Sequence, residues 1–247
     1  MTATIGVRHE DKSEWERRVP ITPQDAADLQ REGVRVIVQS SEHRAYRDAE
    51  FAEAGVAVKG DLEEAPVILG IKEIPSKIFE PDKTYIFFAH VIKGQPYNMA
   101  MLQRMLDLGC TLIDYERVVD EKNRRLIFFG WHAGVAGMID TLWALGQRLA
   151  WEGISNPFEA VKQTLTYHDL AEVKAALGGV ADRIREEGLP AELVPLVFGF
   201  AGYGNVSRGA QEMLDLLPVV EIAPEELAGL TADSEDSRRC VYKVVFK

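Results

Sequence analysis

Cysteine is scarce: the 247-residue chain holds two, Cys110 and Cys240. They stand far apart with no CxxC spacing, so neither a disulfide framework nor a zinc site follows from them. No apolar run approaches the roughly 20 residues that a membrane-crossing helix needs. Basic residues are the minority, and none form a block: Lys+Arg 28 against Asp+Glu 39 leaves a net charge of −11. A chain of that sign lacks the patch that neutralises phosphates, so neither nucleic acid nor an anionic membrane is an expected partner. The opening MTATIGVRHEDKSEWERR has no apolar core and no small-residue cleavage site. It does not read as a secretory signal, and its acids argue against an organellar transit peptide. The expected compartment is a reducing cytoplasm. His43 and His168 show no ligand spacing, and no metal is expected. Internal repeats and low-complexity segments are absent as well.

What is present is an ordinary globular balance, 47% hydrophobic and 27% charged residues, which suits one or two domains. Residues 4–8 alternate apolar and polar and predict a strand. Thr22-Pro23-Gln24-Asp25 predicts a helix start, with Thr22 as cap and Pro23 at the first helical position. That helix stops at Gly33, and a strand follows over 34–38. A short helix is predicted at 49–54. The continuous apolar runs 65–71 (APVILGI) and 84–89 (TYIFFA) read as strands buried on both faces. A helix over 97–108 closes at Gly109 before a strand at 111–115. Strands alternating with helices predict an α/β fold with a parallel sheet.

After Arg125 the texture changes. Residues 126–129 read as one more strand, 133–152 as a long helix, and 158–188 as polar helix broken at Gly178-Gly179. Beyond the prolines at 190 and 195, a buried strand (194–200), a helix (205–217), a short strand (219–222), a short helix (225–230) and a last strand (241–246) are expected. The predicted organisation is an N-terminal parallel-sheet domain over 1–130, a helical connector over 131–190, and the start of a Rossmann-type nucleotide domain over 191–247. Three strands after Val194 make an incomplete nucleotide sheet. Its final strand is expected to be an unpaired edge, prone to self-association into a homo-oligomer. The remainder of the sheet would lie on another segment.

The strongest motif is Gly202-Tyr203-Gly204-Asn205-Val206-Ser207, between a predicted strand and a predicted helix. There the first glycine allows the tight turn, and the second lets backbone approach a pyrophosphate. The helix start offers free N–H groups to phosphate. Ser207 replaces the third glycine, and Gly209 follows two residues on. The competing reading is a tight turn with no ligand. Glu221, 19 residues after Gly202, stands where an acid would hold a ribose hydroxyl, which favours NAD over NADP. Arg238 and Arg239 could instead meet a 2′-phosphate, and Glu221 could equally be a solvated carboxylate.

In the first half, Lys72 ends the run APVILGI and His90 ends TYIFFA. Parallel strands put both on one edge, where open α/β sheets place ligands. An imidazole and a desolvated ammonium can both move protons near neutral pH. Arg18, between the first strand and helix, could clamp a carboxylate through two parallel bonds, or simply pair with Glu14 or Glu16 at the surface. Glu116, after the strand 111–115, reaches the same edge or is solvated. The small residues Ala133, Gly134, Ala136 and Gly137 read as close helix packing, and Cys110 as core.

These residues occur in the stretches ERRVPITP (16–23), ILGIKEIP (68–75), YIFFAHVIKGQPYNM (85–99), TLIDYERVVD (111–120), FFGWHAGVAGM (128–138) and GFAGYGNVSRGAQ (199–211). In that order they resemble the saccharopine dehydrogenase (lysine-forming) and lysine–ketoglutarate reductase family, which is related to alanine dehydrogenase and to the nucleotide-binding subunit of transhydrogenase. The resemblance implies an oxidoreductase acting on a CH–NH group: lysine and 2-oxoglutarate condense to an imine, and NAD(P)H reduces it to saccharopine, reversibly. It further implies Lys72 and His90 as the acid/base pair, Arg18 as a substrate-carboxylate ligand, and Glu116 and Lys93 as pocket residues. An alanine dehydrogenase-like enzyme and a non-catalytic NAD-binding or interaction module are the competing readings.

Overall fold

Alternating strands and helices of the first half build one parallel sheet. The computed structural model describes residues 3–231 and 235–246, and the chain divides into two compact units, Met1–Phe128 and Phe129–Lys247. In the first unit lie β1 (Thr4–Val7), α1 (Pro23–Arg31), β2 (Arg35–Gln39), α2 (Asp48–Glu53), β3 (Ala57–Lys59), β4 (Val67–Leu69), β5 (Thr84–Phe87), α3 (Pro96–Asp107) and β6 (Thr111–Asp114). The sheet order is β3-β2-β1-β4-β5-β6, and each neighbouring pair is parallel. The order reverses between β1 and β4, so the loops leaving those two strands part in opposite directions and open a crevice at the carboxyl edge.

Alternation along β2 assigns the two faces. Val36 and Val38 join Val7, Ala26 and Phe51 under α1 and α2. Ile37 joins Ile68, Tyr85, Phe87, Met101 and Met105 under α3. The first helix begins as expected: Thr22 accepts from the Asp25 N–H and Asp25 reaches back to the Thr22 N–H, a reciprocal cap. Two differences from the sequence reading appear here. The short β3 is an additional edge strand, with one of its three positions exposed and the other two half-buried. Residues 126–129 form no strand; only an isolated bridge joins Val119 to Arg125, so their apolar backbone finds no ladder to enter.

The second unit holds α4 (Gly130–Trp151), α5 (Leu170–Glu187), β7 (Val197–Ala201), α6 (Asn205–Leu214), β8 (Val219–Glu221), α7 (Glu235–Arg238) and β9 (Val241–Phe246). Gly178-Gly179 does not break α5. Leu177, Val180, Ala181 and Ile184 are buried in the unit's core with Leu142, Phe158, Met213 and Val241. Their burial outweighs the roughly 1 kcal/mol that each helical glycine costs. The segment expected as a connector therefore packs within this unit's own core.

The three parallel strands run β7-β9-β8. The last strand, expected at an edge, is the middle one, paired with Val197–Ala201 on one side and Val219–Glu221 on the other. Its apolar positions Val241 and Val244 are fully buried, which is what draws it inward. No helix among the described residues is long and apolar enough to cross a membrane.

Candidate functional site

The five candidate site residues of the first unit all lie in segments that leave the carboxyl ends of strands. Arg18 follows β1, Lys72 follows β4, His90 and Lys93 follow β5, and Glu116 follows β6. Pairing continues past the strand ends, with Gly70 N–H on Ile86 O at 2.9 Å and Phe88 N–H on Ile71 O at 3.0 Å. Lys72 and His90 thus depart from neighbouring, hydrogen-bonded chains.

At His90 the backbone turns left-handed, φ 53° and ψ 18°, and enters a single turn of 3-10 helix at Val91–Lys93. That turn brings three of the expected residues together. His90 Nδ1 lies 3.1 Å from Glu116 Oε2, and Lys93 Nζ lies 3.1 Å from Oε1 of the same carboxylate. Arg125 Nη1 adds a looser contact at 3.5 Å. Burial acts to raise the Glu116 carboxyl, but the hydrogen bonds from Lys93 and His90 outweigh it and hold the group below the ordinary carboxylate range. With Glu116 ionised, the short contact puts the imidazole proton on Nδ1, and Nε2 is the basic nitrogen of the neutral ring. The Phe88 ring stacks against His90 at 6.2 Å and meets Tyr115 edge-on at 5.0 Å.

Arg18 is engaged within the protein. Its Nε and Nη2 donate to the two oxygens of Glu16 at 2.7 and 2.6 Å. This is the fork that a substrate carboxylate would use, and Glu16 occupies it here. Burial raises the Glu16 carboxyl, the Arg18 bonds more than reverse that, and the charge of Lys72 lowers it further. Arg18, Glu16 and Lys72 therefore share one electrostatic neighbourhood. The side chain of Lys72 itself makes no hydrogen bond or ion pair among the described residues.

Sequence reasoning passed over Glu10. Its carboxylate accepts from the backbone N–H of Ile71 at 2.7 Å and of Lys72 at 2.9 Å, and its side chain is 2% exposed. Nothing local signals this, because the partners are main-chain groups some sixty positions away. Burial pushes the Tyr115 hydroxyl up to about 12, with the Glu10 charge adding to the effect.

In the second unit the site is made of backbone. Gly202 has φ +99°, a conformation that only glycine adopts without strain, and its N–H is held by Phe246 O at 2.9 Å. Gly204 caps α6 with no side-chain bond. The first intrahelical bond there is Arg208 N–H to Gly204 O at 3.0 Å, so the N–H groups of Asn205, Val206 and Ser207 have no acceptor within the helix. A Cβ on Gly204 would stand in the open space before them. They face a cleft of about 590 Å³ that Gly199, Gly202 and Ser207 also line, together with Gly137 and Thr141 of α4. That space and those donors fit the pyrophosphate of a dinucleotide.

Close packing aims this helix. A methyl group on Gly134 would overlap the Val206 carbonyl, and one on Gly209 would overlap the Trp131 carbonyl. Gly209 therefore supplies the close approach, against α4. Ser207, read as the third position of the motif, accepts from Gln211 at 2.9 Å instead. Tyr203 is exposed at the loop tip. Glu221 is not beside the loop: β9 separates β8 from β7, and the carboxylate pairs with Lys243 at 2.9 Å.

Residues 6–136 match the family described as alanine dehydrogenase/PNT, N-terminal domain. An alpha-aminoadipic semialdehyde synthase from Arabidopsis thaliana is 40% identical over 232 residues, which is 92% of this chain and 22% of the relative. A saccharopine dehydrogenase [NAD(+), L-lysine-forming] from Neurospora crassa is 33% identical over 215 residues, 84% of this chain and 56% of the relative. The chain thus spans between about a fifth and just over half of these curated relatives. Among solved structures, an L-alanine dehydrogenase superposes with a TM-score of 0.59 at 21% identity, covering 97% of this chain and 60% of the other. That likeness concerns the fold.

Proposed function

Because the chain belongs to the alanine dehydrogenase/PNT N-terminal domain family, a family of oxidoreductases, we propose that it is part of an enzyme that joins lysine to 2-oxoglutarate and reduces the product to saccharopine, or runs that reaction in reverse. The observation that carries the reading is the His90–Glu116–Lys93 cluster at the strand end next to the one that bears Lys72. The relatives named for saccharopine and aminoadipic semialdehyde chemistry support it.

The ε-amine of lysine is protonated at neutral pH and must lose a proton before it attacks the C2 ketone of 2-oxoglutarate. His90 Nε2 takes that proton, while Glu116 keeps the ring in the tautomer with Nδ1–H and stabilises the imidazolium that results. The Lys72 ammonium donates a proton to the carbinolamine hydroxyl, which leaves as water and yields the protonated imine, the form that accepts hydride. Arg18 turns from Glu16 to a substrate carboxylate, and Lys93 offsets the acidity of the pocket. In the second unit, the loop Gly202 to Ser207 would cradle the pyrophosphate, with the free backbone N–H groups of Asn205, Val206 and Ser207 as its donors. The chemistry that a nicotinamide held there would supply is the hydride that reduces the imine. NAD and NADP share the pyrophosphate that this loop addresses.

The test is reduced-nicotinamide oxidation with lysine plus 2-oxoglutarate, set against pyruvate plus ammonium. Turnover with the first pair and saccharopine as product supports the proposal. Turnover with the second pair alone makes the chain alanine dehydrogenase-like, and dinucleotide binding without turnover on either pair makes it a binding module. The cysteines Cys110 and Cys240 are both free thiols, which suits the reducing compartment that we propose for it.

A further inference from the structure

Glu10 is a buried carboxylate at the carboxyl edge whose closest partners are two main-chain amides rather than cations. The nearest guanidinium nitrogen, Arg8 Nη1, is 3.6 Å away, beyond hydrogen-bond reach. Both carboxylate oxygens are used on consecutive N–H groups, one on Ile71 and one on Lys72. Those two residues form the exit of β4, and Glu10 lies in the loop that leaves β1. The crevice between the oppositely directed loops of β1 and β4 is thus bridged at this point by a single side chain. Two neighbours reinforce the bridge. The Arg8 stem packs against Gly70, whose Cβ position lies 3.1 Å from Arg8 Cδ, and Lys12 pairs with Glu73 at 3.5 Å.

Such a bridge has a thermodynamic cost that a purely structural tie would avoid. Burial raises the Glu10 carboxyl, and the bonds from Ile71 and Lys72 only partly offset this. An amide side chain of the same length could accept from one of these N–H groups without carrying charge. The carboxylate is the group that can take both at once.

We propose that Glu10 is a positioning residue, which ties the strand end bearing Lys72 to the loop bearing Arg18 so that proton donor and carboxylate ligand keep a fixed spacing. This rests on the reading that Lys72 and Arg18 serve one substrate. Glu10 does not itself touch the reacting atoms. It acts through the Lys72 backbone, which links its removal to the chemical step more than to dinucleotide binding.

The experiment compares the wild-type chain with Glu10→Ala, Glu10→Gln and Glu10→Asp by amide hydrogen exchange and by saccharopine-forming kinetics. In Glu10→Ala, the amides of Ile71 and Lys72 should exchange at least about tenfold faster, as loss of one net hydrogen bond implies, while those of Val7 and Val38 keep their protection. kcat should fall by about tenfold or more with little change in the KM for reduced nicotinamide. Glu10→Gln, which retains one acceptor, should recover part of both effects. Unchanged exchange at Ile71 and Lys72, or equal acceleration across all the strands, overturns the proposal, the second because it marks general loss of stability. Should the wild-type chain show no turnover while the exchange pattern appears as expected, the lysine–oxoglutarate reading fails and the tie at the strand end stands.

Discussion

In the first unit the candidate chemistry consists of side chains gathered at strand ends; in the second it consists of places where side chains are missing. His90, Lys93 and Glu116 are useful for the groups they carry, whereas Gly202, Gly204, Gly134 and Gly209 are useful for the Cβ atoms they lack. A site of the first kind can lose one member and keep its fold. A site of the second kind divides its glycines: Gly204 keeps space open for a ligand, while Gly134 and Gly209 permit the packing that aims the helix, so that losing either of the latter costs fold and ligand together.

The sharpest way to break that contrast is to remove the proton-transfer groups. His90→Asn and Lys72→Met should each lower kcat by about 10²- to 10⁴-fold, with dinucleotide affinity and unfolding midpoint nearly unchanged. A large drop in midpoint would show that the strand-end groups are structural after all. Gly209→Val should cost about 3 kcal/mol or more, since overpacking against a backbone carbonyl has no flexible end to yield. Denaturant unfolding of the second unit measures this, and a cost below about 1 kcal/mol would mean that α4 and α6 can separate freely.

Gly204→Val should weaken dinucleotide binding at least about tenfold by filling the space before the α6 amides, with stability altered less than in Gly209→Val. Titration calorimetry separates the two. For Glu116 the effect lies in pH. Its folded carboxyl sits below its unfolded value of about 4.3, so the stability it contributes is complete above that value and is lost as pH falls through the folded one. Glu116→Gln should therefore flatten the acid limb of the stability curve below about pH 5. An unchanged limb would show that Lys93 and His90 do not hold that carboxylate in solution. The smallest change is expected from Glu221→Gln, less than about threefold in the ratio of NADH to NADPH affinity, or ~0.6 kcal/mol. A tenfold shift would restore it as the ribose acid.

Legibility in the sequence followed the same divide. Strands bounded by turn residues were readable, and so was the Thr22–Asp25 cap, because a local pattern determines each. The residues of the strand-end cluster were readable one at a time, since a parallel sheet assigns them all to one edge. The strand order β7-β9-β8 was not, because nothing local says which of three apolar segments lies in the middle, and the misplaced edge carried Glu221 with it. Gly178-Gly179 looked like a break because propensity counts glycines and not the core they face. Residues 126–129 looked like a strand because composition does not reveal whether a partner is available. Glu10 stayed invisible for the plainest reason: its partners are peptide groups, which have no letter.

One torsion angle sets a limit on how this molecule can vary. Among the described residues, three other than glycine have positive φ, and two of them, Asp82 and Asn123, are of types whose short side chains tolerate it. The third is His90. Any replacement there is judged twice, once for its ring and once for its willingness to bend leftward, and most side chains fail the second trial before the first begins. Asparagine is the substitute that passes the bend and lacks the imidazole. His90→Asn is therefore the cleaner control, since it silences the base while leaving the corner of the chain on which Lys93 and Glu116 depend.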